Sequence, residues 1–364
     1  REPLQWELQS QTLQLLETIS LRGVRVLTQR ESLRDTILCL SANADKLYRL
    51  GIGEAVCLST LSTANENRDW QTYADYAMVL IPEAKHLYVD EQGELELSNQ
   101  VFAIDATVID LCLSVFSWAK FRATKGAVKL HTQLDMKTTI PEFIHITGKV
   151  HEANDLTDQF QQDSFYILDR GYTDFKRLFQ IHRAGAFFII RAKDNLNFTR
   201  IKSDTVAKSG QELCDQVIKL TNYYASYDYP QHLRRIKFLG AETQKTFVFL
   251  SNNFALKPTE IATLYRHRCK IEPFFKWIKQ HLKIKSFWGT SANAVKTQVW
   301  IAICTYVLVA IAKKKFKLRQ SLHEILQVLR ISIFDKAPLP NLYEKPTQQN
   351  VNELFSSNQL NIFK

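Results

Sequence analysis

The sequence predicts an α/β protein: a mixed sheet with flanking helices, an all-helical N-terminal region before it and a β-rich insertion within it. Three observations predict this. Apolar residues recur at helical spacing up to about residue 80, and from Val101 they switch to short extended runs. The first three runs are joined by short connections and the next two by a helical stretch, so antiparallel strands give way to alternating α and β. A polar stretch with two further strand-like runs then precedes a helix dense in Lys and Arg.

Taken in order, residues 1–28 read as helical on Leu4, Leu8, Leu13, Leu15, Leu16 and Ile19. Residues 30–48 form a second helical segment, broken by Gly51 and Gly53 before a short third helix near 54–61. The polar stretch 62–70 offers a capping region at 65–69 for a helix over 70–80. Residues 101–108, 128–134 and 142–147 are the first three strands, with loops near 123–126 and 135–139. A polar loop, 149–155, contains His151. Residues 164–168 form the fourth strand, Thr173 caps a helix over 174–182, and 186–191 is the fifth strand. Three antiparallel strands followed by alternating α and β is the order of a ribonuclease H-like sheet. Residues 193–211 are polar, and 232–239 and 246–250 are strand-like. After the basic helix, Phe287, Trp288 and Gly289 turn the chain into an apolar helix over 294–317, whose closing lysines suit the negative end of its dipole. A further helix covers 320–333, and the chain from Pro338 is rich in Asn, Gln and Ser. The expected division is a helical DNA-binding region, 1–98; a core in two parts, 99–192 and 257–335; a β-rich insertion, 193–256; and a loose tail, 336–364.

A chain of 364 residues with 45% hydrophobic content has room for a sizeable core. The net charge of +10 points to a polyanionic partner. The six cysteines show no C-x-x-C pair and no zinc spacing, which suits a reducing interior. No signal peptide is seen. The longest apolar run, 299–312, is shorter than a membrane span and reads as a buried helix, so no membrane partner is expected. The chain begins at Arg1 rather than Met, and its N-terminus is expected to be truncated or processed.

The stretch 261–285 carries seven bases, Arg266, Arg268, Lys270, Lys276, Lys279, Lys283 and Lys285, and one acid, Glu272. On a helix Tyr265, Arg268, Glu272 and Lys279 share an arc of about 60°, beside an apolar arc of Leu264, Ile271, Phe275, Ile278 and Leu282. An ordinary basic amphipathic helix with one salt bridge is the plain account. A metal-binding carboxylate set in a phosphate-binding surface is the functional one. Upstream, Asp105 ends the apolar part of the first strand and Asp169 follows the fourth. In a ribonuclease H-like sheet those strands are neighbours, and three converging carboxylates repel unless a cation neutralises them. Hard oxygen ligands suit Mg²⁺ or Mn²⁺, and two such ions can activate a water or 3′-hydroxyl and stabilise the leaving oxygen.

The residues Tyr265, Arg268, Glu272 and Lys279, with IDAT around Asp105 and DRGYTDF over 169–175, resemble the cut-and-paste DDE transposases of bacterial insertion sequences that carry a Y-R-E-K signature. The resemblance covers roughly residues 30–330. It implies Asp105, Asp169 and Glu272 as a catalytic, metal-binding triad, and Tyr265, Arg268 and Lys279 as contacts to transposon-end DNA. It also implies double-stranded DNA as partner, a homodimer on paired ends and a bacterial cytoplasm, at the nucleoid. The expected activity is cleavage at transposon ends and joining of the freed 3′-hydroxyls to target DNA. A catalytically silent DNA-binding descendant, a metal-dependent nuclease and a plain basic scaffold are the alternatives. Two features depart from the family pattern. Pro273 follows Glu272 and should kink the helix. No tryptophan falls in 193–256 to stack on a flipped base, which leaves Tyr223, Tyr224, Tyr227, Tyr229 or Phe238 for that task. Lys276 and His151 are further candidates for DNA contact; for His151 a surface-loop histidine is the plainer account. Asp110, at odd spacing from Asp105, points to the other face.

Overall fold

The computed structural model describes residues 30, 32–50, 57–89, 97–122, 125–147, 160–204, 211–240, 244–282, 287–334 and 342–343. The chain falls into two compact units, one of residues 62–307 and one of residues 1–61 with 308–364.

In the second of these units, Ser32 caps helix α1 (Leu33–Ala42) in a reciprocal box with Asp35. The chain then tightens into a 3₁₀ stretch, Ala44–Leu50. Helix α2 (Leu58–Asn67) runs through most of a stretch expected to be a polar loop. Its Ser, Thr and Asn residues favour caps but do not forbid a helix.

The larger unit is built on a mixed sheet of ten strands. These are β1 (Val101–Leu111), β2 (Lys120–Arg122), β3 (Lys125–Asp135), β4 (Pro141–Thr147), β5 (Phe165–Leu168), β6 (Phe187–Arg191), β7 (Phe198–Asp204), β8 (Glu212–Leu220), β9 (Leu233–Leu239) and β10 (Thr246–Ser251). Their spatial order is β2-β3-β1-β5-β6-β10-β9-β8-β7, and β4 also pairs with β3. β1, β5 and β6 are mutually parallel at the centre. The strand β5 is buried throughout, as a strand covered on both faces must be, and its sequence is accordingly an unbroken apolar run. Segment 193–256 continues this same sheet through the β6–β10 pairing. Two of its strands, β7 and β8, were not legible. β7 is an edge strand with nearly every side chain exposed, so it has no apolar period.

Helix α3 (Gln71–Tyr88) precedes the sheet and runs past Pro82 well beyond its expected end. It ties to β4 through Lys85 and Glu142 at 2.6 Å. Helix α4 (Phe175–Arg183) links β5 to β6 and buries Leu178 and Ile181 on one face of the sheet, against Phe102, Ile104, Tyr166, Leu168 and Phe188. Asp174, rather than the expected Thr173, caps it, because its carboxylate accepts from the Lys176 and Arg177 N–H groups. Helix α5 (Tyr223–Asp228) follows β8.

The expected single helix over 261–285 is two helices, α6 (Pro258–Arg266) and α7 (Ile271–Leu282), joined by a 3₁₀ turn, His267–Lys270. Pro273 explains the break. It has no N–H to donate to the carbonyl of Cys269, and its ring would clash there if the α-helix ran on. In the observed chain Pro273 lies in the first turn of α7, where its missing donor costs nothing. Ile271, Phe274, Phe275, Trp277 and Ile278 are buried, a wider apolar face than the expected arc. Burial of each such side chain contributes about 1.5–3 kcal/mol.

Helix α8 (Ala292–Lys315) is the one helix among the described residues long and apolar enough to cross a membrane, and nearly all of its apolar window is buried inside the protein. Helix α9 (Leu322–Ser332) is capped by Ser321 in a box with Glu324.

Candidate active site

Strand register places the first two carboxylates. β1 and β5 pair in parallel from Val101↔Phe165 to Ile104↔Leu168. Asp105 and Asp169 are therefore the next residue on each strand, side by side where β5 leaves the sheet. β5 pairs likewise with β6, Leu168 against Ile190, which sets Arg191 next in the row. Asp105 lies inside β1, which runs three residues past its expected end at 108, to Leu111, because the eleven-residue β3 offers partners along its length. Asp110 is exposed, and its odd spacing from Asp105 puts it on the opposite face.

Each carboxylate is held differently. Asp105 Oδ1 accepts the Ala106 N–H at 2.7 Å, and Oδ2 accepts from Arg268 Nη1 at 2.6 Å. Asp169 caps a 3₁₀ turn, Arg170–Tyr172, its Oδ2 accepting the Gly171 N–H at 3.3 Å. Glu272 is in the first turn of α7, the helix that packs against β1, and its side chain is 62% exposed. Arg268 Nη2 stands 3.7 Å from Glu272 Oε1, so one guanidinium spans Asp105 and Glu272. A planar fork suits that double duty better than an ammonium would.

The electrostatics report the same convergence. Burial pushes the Asp105 carboxyl above its usual range; the Ala106 N–H and Arg268 oppose the shift, while Asp169 and Glu272 add to it. Burial works against the Arg268 charge, but Asp105, Tyr265 and Asp169 outweigh it and hold the guanidinium more firmly protonated. Burial takes the Tyr265 phenol up to about 12.

Two hollows lie around these residues, one against α7 and one against the 3₁₀ turn. One, of about 460 Å³, is lined by Thr107, Glu272, Lys276 and Lys279. The other, of about 370 Å³, is lined by Asp169, Arg191, Phe238, Tyr265, Arg266 and Arg268 among others. The turn thus breaks the single arc expected for Tyr265, Arg268, Glu272 and Lys279: Tyr265 and Arg268 face one hollow, Glu272 and Lys279 the other. Tyr265 packs on Phe249 with ring centroids 4.8 Å apart. His151 lies outside the described residues. Of the aromatics considered for stacking, Phe238 lines the second hollow, Tyr229 is buried at 1% exposure, and Tyr223, Tyr224 and Tyr227 are exposed on α5.

Arg191, which lines the second hollow, was not singled out from sequence, and Arg266 only as one of the seven bases. Arg191 carried a usable signal, a base one residue beyond the apolar run of a strand parallel to those of Asp105 and Asp169. As donors for a cation, Asp105, Asp169 and Glu272 are all hard oxygens that repel one another, the chemistry that suits a divalent ion. Among the described residues, no three potential ligands stand close enough together to hold an ion; the Arg268 guanidinium is the cation held between two of them.

Comparison with known proteins places this geometry in a family. Residues 96–308, more than half of the chain, match the family model described as a transposase DDE domain. Residues 13–53 match a domain of unknown function. The chain is 27% identical over 292 residues to a putative transposase, y4zB, of Sinorhizobium fredii, covering 79% of this chain and 80% of that one. It is 24% identical over 263 residues to a putative transposase for insertion sequence element IS4SA of Synechocystis, covering 70% and 72%. A piggyBac transposase synaptic complex with hairpin DNA aligns at a TM-score of 0.46 and 9% identity, over 94% of this chain and 75% of that one, a likeness too slight to carry an argument. The match across the stretch that holds Asp105, Asp169 and Glu272 shows that the chain belongs to the DDE-domain transposases.

Proposed function

We propose that this DNA transposase works by metal-dependent cut-and-paste chemistry, with Asp105, Asp169 and Glu272 as its catalytic carboxylates. The observation that carries the reading is the placement of Asp105 and Asp169 on adjacent parallel strand ends, with Arg268 reaching from Asp105 to Glu272. The order β4-β3-β1-β5-β6, with the Glu272 helix against β1, supports a ribonuclease H-like core.

Asp105, Asp169 and Glu272 are the residues that would hold one or two Mg²⁺ or Mn²⁺ ions, whose Lewis acidity would favour deprotonation of a water or 3′-hydroxyl and offset charge on the leaving oxygen. Lys276 and Lys279 bind phosphates of the transposon end on the Glu272 side, as point charges. Tyr265, Arg268, Arg191 and Arg266 line the other side, where the guanidiniums take further phosphate oxygens in bidentate fashion. Tyr265 stays protonated at neutral pH and donates to a phosphate oxygen. Phe238 offers a face for a base lifted from its stack. The chain acts as a dimer on paired ends and joins the freed 3′-hydroxyls to target DNA. His151 belongs to this reading as a further DNA contact.

The test is Mg²⁺- or Mn²⁺-dependent cleavage of DNA bearing the element's own ends, with Glu272→Gln beside the wild type. Cleavage and joining by the wild type, with a loss of at least about 10³-fold in the variant, is the expected result. Since Glu272 is exposed, its loss should leave the melting temperature almost unchanged. End binding without any cutting, equal in both proteins, would mark a silent DNA-binding descendant. Cutting that ignores the ends and never joins would mark a nuclease.

A further inference from the structure

The strand end that carries Asp169 is tied across β1, the strand that carries Asp105, to β3 by a buried contact on the opposite face of the sheet. Tyr172 follows Asp169 by three residues and is 7% exposed. Its hydroxyl lies 2.9 Å from Nδ1 of His131, which is 1% exposed. His131 belongs to β3, where its cross-strand partner on β1 is Ala106. β5 lies on the other side of β1 from β3. To reach His131, the Tyr172 side chain must therefore cross β1, and it does so at Ala106, the small residue next to Asp105. Ala106 packs against the same core cluster as Tyr172. The two rings meet edge to face with centroids 6.0 Å apart.

We infer that His131 is a positioning residue for Asp169: through the Tyr172 hydroxyl it clamps the turn after β5 across β1 and so sets the separation of Asp105 and Asp169.

Several features agree with a specific clamp. The turn is short, so little slack separates Asp169 from Tyr172. His131 Nε2 faces the Thr147 hydroxyl at 3.4 Å. The tautomer that satisfies both ring nitrogens has Nδ1 accepting from the phenol and Nε2–H donating to Thr147. Burial, with Lys129, His145 and Arg177 nearby, lowers the imidazole to about 3, so the ring stays neutral across the working range. The Lys129 ammonium lies 5.6 Å from the Tyr172 ring centroid, adding a cation–π contact to the same residue. A leucine or valine at 106 would take the space through which the tyrosine passes.

The inference rests on the reading of Asp169 as a metal-binding carboxylate, and the experiment separates the two. The variants are Tyr172→Phe, which keeps the ring and loses the hydroxyl, His131→Phe, and the two combined, with Asp169→Asn alongside. Mn²⁺ alone is the probe, its affinity read by electron paramagnetic resonance, together with kcat for end cleavage, affinity for end DNA and melting temperature. The expected result is Mn²⁺ binding weakened about tenfold in Tyr172→Phe and in His131→Phe, with kcat down and DNA affinity unchanged. The double variant should be no worse than either single one, since both remove the same contact. Wild-type Mn²⁺ affinity and kcat in both single variants, with only a lowered melting temperature, would reduce the pair to core packing and overturn the inference. Unchanged Mn²⁺ binding in Asp169→Asn would overturn the metal reading itself, and the positioning role with it.

Discussion

Replacing Arg268 by alanine removes the guanidinium that donates to Asp105 at 2.6 Å and stands 3.7 Å from Glu272. Both members of the Arg268–Asp105 pair are largely buried, with 18% and 17% of their side chains exposed. Breaking a fully buried pair by deleting one partner costs about 3–5 kcal/mol, because an uncompensated charge is left behind. Asp105 keeps its bond from the Ala106 N–H and some exposure to water, so the cost here is about 2 kcal/mol. In a unit of this size that lowers the melting temperature by about 4–8 °C. The pH dependence follows from the direction of the Asp105 shift. Its carboxyl binds a proton more tightly folded than unfolded. Its contribution to stability is therefore fully present below the ordinary carboxylate pKa and fades as the pH climbs through the raised, folded value. Loss of Arg268 raises that value further, so the deficit of the variant is small near about pH 4 and full near about pH 8. Urea unfolding of Arg268→Ala and wild type at both pH values, followed by tryptophan fluorescence, measures it. Arg268→Lys, which keeps the charge but cannot span both carboxylates, should fall between the two. A deficit of equal size at both pH values, or none at either, would refute the argument that Arg268 neutralises a desolvated Asp105.

Two further predictions concern the frame around the site. Arg234 donates twice to Asp215, at 2.6 and 3.0 Å, and also to the Asn253 and Leu256 carbonyls, tying β8 and β9 to the segment that leads into α6. Arg234→Met should cost about 3 kcal/mol or more in urea unfolding, and adding Asp215→Leu should restore part of the loss, since the stranded carboxylate is then gone too. Pro273→Ala should cost no more than about 1 kcal/mol by thermal melting, the unfolded-chain entropy of one proline. A gain of about 3 kcal/mol would instead mean that the proline strains the helix interior.

Much of the frame was legible in the chain. The switch from helical to extended period at Val101, the apolar runs of β1, β3, β4, β5 and β6, and the apolar stripe of α7 are local patterns, and local patterns are what a sequence displays. The same runs marked Asp105 and Asp169 as polar residues beside buried strands. β7 did not show, because an edge strand with nearly every side chain exposed has no period to read, and β8, an interior strand, alternates polar and apolar residues too irregularly to stand out. Pro273 marked a kink, and it forbids the hydrogen bond to Cys269; its steric effect falls on the preceding turn, which is why the kink becomes a full break at 267–270.

By itself, then, the sequence determined the α/β class, the basic character of the chain and the residue types available for phosphate and metal chemistry. Those follow from composition and from side-chain period, which each segment carries alone. Only the tertiary structure decided which groups meet. The parallel register of β1, β5 and β6 set Asp105, Asp169 and Arg191 in a row, and the turn at 267–270 swung Arg268 onto Asp105 while leaving Glu272 facing the other hollow. The Tyr172–His131 contact passes across an intervening strand. Such meetings depend on strand order and on the path of the chain between elements, and no local pattern encodes them.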